Sequence, residues 1–115
     1  MKKSPSRIIL HCGTNDLNKN QSPWTIAEDV IELAKAMESK DTEVLISGIV
    51  QRRDEFNGKA LEVNKALERE CERMRLGFID NSNIDPDLHL NGSGLHLNME
   101  GTIMLANNFI KAMGY

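Results

Sequence analysis

Apolar residues fall in three short runs separated by longer stretches of mixed character. The run from Arg7 to Cys12 (RIILHC) and residues 43–50 (EVLISGIV) show little alternation, which is typical of strands covered on both faces. A third run, Phe78-Ile79-Asp80, is brief. Strands of this kind, when helices separate them along the chain, favour a parallel sheet.

Two of the intervening stretches carry apolar residues at helical spacing. The first begins at Ser22-Pro23, a serine cap with a proline in the first helical turn, and is predicted to end near Ser39. Residues 51–58 read as a polar loop, after which a second, highly charged helix is predicted to run to about Arg75, where Gly77 stops it.

The last third of the chain is predicted to hold a long loop and one more helix. Residues 81–98 show no periodicity and contain turn-forming Asn and Gly residues, and a loop of this length usually indicates either a function or disorder. A helix follows from Met99 to Met113, and Asn98 is placed to cap it. The element order predicts right-handed strand-helix-strand crossovers with the loops gathered at the carboxyl ends of the strands.

Composition adds limits on the class of protein. The 115 residues suffice for one domain, and the net charge of -3 without a basic block lacks the signature of a nucleic-acid binder. The apolar run before Gly13 is too short for a signal peptide or a membrane span. Cys12 and Cys71 fall at predicted core positions, so we expect reduced thiols and a cytoplasmic protein without membrane attachment.

The first candidate site is the turn Gly13-Thr14-Asn15-Asp16, which follows the first strand. Glycine allows a sharp turn there, and the Asn15 amide can donate a hydrogen bond to a carbonyl oxygen that develops charge. The alternative is structural, because Asn and Asp also cap turns.

The second candidate is His96, in the glycine-flanked segment 91–98 (NGSGLHLN). Its loop position suits an acid or base better than that of His11, which falls within a predicted strand. His89 lies in the same loop at no spacing typical of metal ligands, so no metal site is expected. Cys12 is expected to be buried and is a poor nucleophile candidate.

Together, "LHCGTNDL" after the first strand and "GLHLNMEGT" before the last helix resemble the third and fifth sequence blocks of the SGNH (GDSL-type) hydrolase superfamily. The segments "LISGIVQRRDEFN" and "VNKALERECERMRLGFID" are similar to the esterase-like domains of some non-LTR retrotransposon proteins. The resemblance spans nearly the whole chain.

The resemblance implies roles for three residues. Asn15 corresponds to the oxyanion-hole asparagine, Gly13 to the glycine that shapes its turn, and His96 to the base that serves a serine nucleophile. The family hydrolyses carboxyl esters through an acyl-serine intermediate and uses no metal or organic cofactor. An ester substrate is therefore expected.

The chain also departs from the family pattern. The nucleophile's Gly-Asp-Ser block and a second glycine block precede this region in the family, and no Gly-Asp-Ser occurs here. Ser93 stands where the triad's acid is expected, three residues before His96, and Asp87 or Asp85 of the same loop are the alternative acids. No serine of the chain lies on a turn suited to a nucleophile, so the chain alone is expected to be close to inactive.

The implied fold is a truncated, three-layer, flavodoxin-like α/β domain spanning residues 1–115. It would have a three-stranded parallel sheet with helices on both faces and would lack the family's N-terminal strands. The strand from Arg7 to Cys12 would then lie at an open edge, which predicts a homodimer or pairing with a missing N-terminal segment. The competing functions are a non-enzymatic interaction module and an enzyme completed by another chain or across a dimer.

Overall fold

The computed structural model describes residues 6–11, 20–92, 94 and 96–114. The elements in chain order are β1 (Ser6–His11), α1 (Pro23–Met37), β2 (Thr42–Ser47), α2 (Asn57–Met74), β3 (Gly77–Ile79) and α3 (Met99–Ala112). The strands form one parallel sheet, as the sequence predicts, and their order in it is β1-β2-β3. In the described part of the chain, no helix has the length and apolar character needed to cross a membrane.

The helices cover both faces of the sheet. Leu10 of β1 packs against the main core with α1 and α2, whereas the adjacent His11 contacts Phe109 of α3. Successive strand residues point to opposite faces, so α3 lies on the face opposite α1 and α2. The main core is closely packed, and Val44 and Ile46 of β2 expose 0% of their surface.

Strand β2 is shorter than its apolar run suggests. It ends at Ser47, whereas the sequence pattern extends to Val50. The side chain of Asn64, on α2, accepts a hydrogen bond from the Ile49 amide at 2.7 Å and donates to the Ile49 carbonyl at 2.8 Å. Because α2 satisfies these backbone groups, the sheet ladder cannot continue through Ile49.

Helix α2 begins earlier than predicted, and it ends near Arg75 as predicted but for a different reason. It begins at Asn57, inside the predicted loop 51–58, after a turn in which the Phe56 amide donates to Asp54 Oδ1 at 3.1 Å. Its end is set by Arg75, which has a left-handed backbone with φ 58°, and not by Gly77. Gly77 instead opens β3, where a Cβ would lie 3.0 Å from Leu45 Cγ.

The caps predicted for the other two helices are confirmed. Ser22 Oγ accepts a hydrogen bond from the Thr25 amide at 3.1 Å at the start of α1. At the start of α3, Asn98 Oδ1 accepts from the Gly101 amide at 2.8 Å. Each cap satisfies a backbone N–H that has no partner within its own helix.

Strand β1 lies at the edge of the sheet, and within the described residues it pairs with β2 alone. Helix α3, on the far face of the sheet, leaves apolar side chains exposed: Met99, Ile103 and Ile110 expose 80%, 54% and 49% of their surface. Among the described residues β1 is therefore an edge strand, as the sequence predicts, and its pairing with another polypeptide stays a prediction.

Candidate functional site

A polar network with Ser47 and Asn81 buried at its centre joins the carboxyl ends of the three strands. His11 Nδ1 lies 2.8 Å from Ser47 Oγ, so the last residues of β1 and β2 are bonded side by side. Asn81, just after β3, donates its Nδ2 to Ser47 Oγ and to the Gly48 carbonyl, at 2.7 Å in each case. Asn108 of α3 donates to Asn81 Oδ1 at 3.0 Å, which extends the network to the helix.

The hydrogen bond between His11 and Ser47 is compatible with a neutral imidazole. Ser47 Oγ accepts from Asn81 Nδ2 and can donate its own proton to His11 Nδ1. Burial lowers the pKa of His11 from its ordinary value of 6.5, which also favours the neutral form. The ring packs edge-on against Phe109 with centroids 5.8 Å apart, so the end of β1 is held on two sides.

Ser47 and His11 have the spacing of a hydroxyl–imidazole pair, yet the geometry does not suit nucleophilic catalysis. Ser47 exposes 1% of its surface, and its Oγ is already bonded to both His11 and Asn81. An acyl carbon has no route to this oxygen. The pair therefore positions the strand ends.

This network predicts a pH dependence of stability that originates at His11. Because the folded-state pKa of His11 lies below 6.5, the unfolded chain takes up a proton at a higher pH than the folded chain. The free energy of unfolding should be constant above about pH 7 and should fall as the pH drops from about 7 to about 5. Urea unfolding at several pH values measures this slope.

The matched variant is His11→Asn, which keeps a polar side chain but cannot titrate. Its free energy of unfolding should fall less than that of the wild-type chain over the same pH interval. Parallel curves for the two proteins would show that His11 does not contribute to the pH dependence.

The loop that carries His96 has a hairpin-like geometry. Leu90 and Leu97 form an isolated antiparallel bridge, and the Asn91 amide donates to the His96 carbonyl at 2.7 Å. At the base of the loop, Asn98 donates its Nδ2 to the Leu88 carbonyl at 2.8 Å. The His96 side chain is exposed, and its ring makes no hydrogen bond with the residues that the structure describes.

This histidine loop, residues 90–98, lies at the carboxyl end of the sheet. Residues 48–56 leave the end of β2, and the Arg53 amide of this segment donates to the Gly94 carbonyl at 3.1 Å. His11, the last residue of β1, is bonded to Ser47 at the same end of the sheet. The last residue of β1 and the histidine loop are thus both tied to the carboxyl end of β2.

The predicted site residues are only partly covered by the structure. Gly13, Asn15 and Ser93 lie outside the described residues. Asp87 is exposed, and its amide donates to Asp85 Oδ1 at 2.7 Å. Within the described residues, neither aspartate forms an ion pair or a hydrogen bond with the ring of His96.

His89 has a structural contact of its own. Its Nδ1 accepts a hydrogen bond from the Asp85 amide at 2.7 Å, which closes a turn within the loop. No group of three or more His, Cys, Asp or Glu side chains able to hold a metal ion occurs in the described portion of the chain.

The network of His11, Ser47 and Asn81 is not predicted from the sequence, because His11 and Ser47 each lie within an apolar run that predicts a strand. The geometry of parallel sheets does supply a signal for this network. Parallel strands end at one edge of a sheet, and in this chain a polar residue lies at or just after the end of each strand: His11, Ser47 and Asn81. Aligning the three strand ends brings those residues together.

Comparisons with known proteins identify the fold. No protein-family model matches the chain, and no curated protein matches it by sequence. A member of the lipolytic G-D-S-L family from Veillonella parvula superposes with a TM-score of 0.73 at 22% identity, over 96% of this chain and 65% of that one. The carbohydrate acetylesterase Est24 from Sinorhizobium meliloti gives 0.76 at 18% identity, over 96% of this chain and 61% of that one.

The esterase domain of the ZfL2-1 ORF1 protein from a zebrafish retrotransposon is also similar. Its TM-score is 0.73 at 24% identity, over 91% of this chain and 70% of that domain. The chain therefore has the α/β fold of the SGNH (GDSL-type) hydrolases, as the sequence resemblance implies. It spans less than two thirds of the length of the two bacterial proteins.

Proposed function

We propose that this chain forms the base-carrying part of an SGNH-type carboxyl-ester hydrolase site, with His96 as general base and Asn15 as oxyanion donor. One observation carries the proposal. The Arg53 amide ties the histidine loop to the carboxyl end of β2, beside the end of β1 from which the segment bearing Asn15 continues. Sites in open parallel sheets form at this edge.

The chemistry assigns a distinct task to each residue. His96 takes the hydroxyl proton of a serine as that serine attacks the ester carbonyl, and then returns the proton to the departing alcohol. The amide of Asn15 donates to the oxyanion, with Gly13 shaping its turn. Ser93 stands at the usual position of the acid but has no carboxylate, so Asp85 and Asp87 of the same loop are the candidates to orient His96.

The nucleophile is proposed to lie outside these 115 residues, since no Gly-Asp-Ser occurs among them and Ser47 is enclosed. Removing the nucleophile of a catalytic triad leaves only a small part of its rate enhancement. The isolated chain should therefore hydrolyse esters no faster than free imidazole does. No metal or organic cofactor is needed for this chemistry.

The test compares the isolated chain with the longest natural protein product whose sequence contains these 115 residues. A serine-directed fluorophosphonate should label the longer product and leave the chain unlabelled. Turnover of p-nitrophenyl acetate by the longer product should fall by about a thousandfold in His96→Ala, because the general base is lost. A labelled isolated chain, or an unlabelled and inactive longer product, would contradict the proposal.

A second candidate function is favoured by the open edge of β1 and by the exposed side chains Met99, Ile103 and Ile110 of α3. An unpaired strand edge beside exposed apolar surface is suited to binding another polypeptide. The chain would then act as an interaction module that pairs through residues 7–12, with a second copy of itself or with an N-terminal segment. An enzyme whose site is completed by another chain or across a dimer would use the same contact.

Sedimentation distinguishes these states. A homodimer should dissociate when Ile9 is replaced by proline, which removes a backbone donor from the β1 edge and cannot be accommodated in a regular ladder. A monomer at high concentration that binds no dye specific for exposed apolar surface would count against both forms of pairing. We also propose a reducing, cytoplasmic location, because Cys71 is a buried free thiol.

A further inference from the structure

Arg53 contacts the histidine loop through both its backbone and its side chain. Its amide donates to the Gly94 carbonyl at 3.1 Å, and its guanidinium Nη2 donates to the Asn91 carbonyl. Both hydrogen bonds run from Arg53, in the segment after β2, to the histidine loop, one to Gly94 and one to Asn91. Arg53 therefore holds the loop at two points.

The segment that carries Arg53 is itself firmly held. The Arg52 amide donates to Asn57 Oδ1 at 2.8 Å, and the Arg52 guanidinium pairs with Asp54 and stacks on Phe56 with 5.2 Å to the ring centroid. These contacts fasten the segment to the first turn of α2. Arg53 thus transmits the position of a well-packed helix to the histidine loop.

Within the loop, Asn91 is the residue through which this contact reaches His96. Its amide donates to the His96 carbonyl at 2.7 Å, and its carbonyl accepts from the Gly94 amide at 3.0 Å as well as from Arg53. Moving the Asn91 peptide therefore moves the backbone of His96. A carbonyl that accepts from a guanidinium makes a stronger hydrogen bond than one that accepts from a neutral amide.

Gly94 makes the close approach of Arg53 feasible. Its φ of 74° lies in the left-handed region, and a Cβ at this position would lie 3.0 Å from Arg53 Cβ and 3.2 Å from its Nε. Another residue would be strained in its backbone and would also push the arginine away. The glycine and the arginine therefore act as one fitted pair.

We infer that Arg53 is a positioning residue for His96, acting through the Asn91 carbonyl. The inference rests on the proposed function of His96, but the geometry it concerns can be measured without any ester. Arg53 does not touch the reacting atoms. It sets the backbone from which the base projects.

Amide hydrogen exchange in the folded chain tests this role. Arg53→Met keeps the length of the side chain and removes its donors, so the Asn91 amide should exchange about tenfold faster than in the wild-type chain. Arg53→Lys retains one donor and should restore part of the protection. The control Arg69→Met removes an exposed arginine of α2 and should leave the Asn91 amide unchanged.

Two further readouts separate positioning from general stabilisation. The amide of Val63, in the core of α2, should exchange at the wild-type rate in Arg53→Met, and the ring resonances of His96 should shift. Unchanged exchange at Asn91, or equal acceleration at Asn91 and Val63, would overturn the inference. If the methionine variant does not fold, Arg53→Gln, whose shorter side chain carries no guanidinium, is measured at the same amides, and wild-type exchange at Asn91 together with unshifted His96 resonances overturns the inference.

These outcomes are independent of catalysis. An inactive longer product would remove the base role of His96 while leaving the exchange result intact. Conversely, normal exchange in Arg53→Met would remove the positioning role while leaving the assignment of His96 as base untouched.

Discussion

Replacing Gly101 with alanine should cost the chain about 3 kcal/mol of unfolding free energy, a large share of what a small domain has. A Cβ at this position would lie 2.2 Å from the His89 carbonyl oxygen and 3.0 Å from His89 Cβ. The clash is with backbone, so no rotamer change relieves it. The first turn of α3 would have to move away from the loop that carries His96.

Gly58 provides the matched control, because it also lies near the start of a helix but a Cβ there would meet nothing within 4 Å. Alanine favours helix over glycine by up to about 1 kcal/mol, so Gly58→Ala should stabilise slightly. Urea unfolding followed by circular dichroism measures both variants. Equal stability of Gly101→Ala and wild type would mean that α3 does not pack against His89 as described.

Asn64→Ala should be the second strongly destabilising change, at about 2 to 4 kcal/mol. The substitution leaves the N–H and C=O of Ile49 without the partners that now lie 2.7 and 2.8 Å away. Ile49 exposes only 2% of its surface, so water cannot replace the amide without opening the core. The higher helix propensity of alanine offsets less than 1 kcal/mol of this loss.

Asn107→Ala is the control for that change. Asn107 has an exposed side chain on α3, so its replacement removes no buried contact and should be neutral or slightly stabilising. The same urea titration compares the two. A cost below about 1 kcal/mol for Asn64→Ala would show that the backbone of Ile49 finds other partners.

The arrangement of elements could be predicted from the sequence because apolar periodicity and caps are local signals. The unbroken apolar runs indicate buried parallel strands, and Ser22 and Asn98 mark the starts of two helices that the structure confirms. The end of β2 could not be predicted because it depends on a tertiary contact, and the end of α2 was predicted near the right residue but for the wrong reason. Asn64 ends the ladder at Ile49 from a different element, and Arg75 adopts a left-handed conformation more typical of glycine.

The candidate site divides in the same way. His96 could be selected from its loop context and from the resemblance of its motif, since both are read along the chain. The bonds that join His11 to Ser47 and Arg53 to the histidine loop connect residues far apart in sequence. No local pattern specifies such pairs, because they depend on how the strand ends lie side by side in the folded sheet.

The proposed function requires Asn15 and His96 to lie close together at the carboxyl end of the sheet. A spin label at residue 15 measures this proximity directly. Asn15→Cys would carry a nitroxide in a Cys12→Ser background, while burial, reinforced by Glu68 and Glu70, raises the pKa of Cys71 to about 11 and keeps that thiol unreactive. We predict strong broadening of the amide resonances of residues 94 and 96, and weaker broadening at residues 40 and 41, which precede β2 at the opposite edge. The reverse pattern would contradict the shared site and with it the hydrolase assignment.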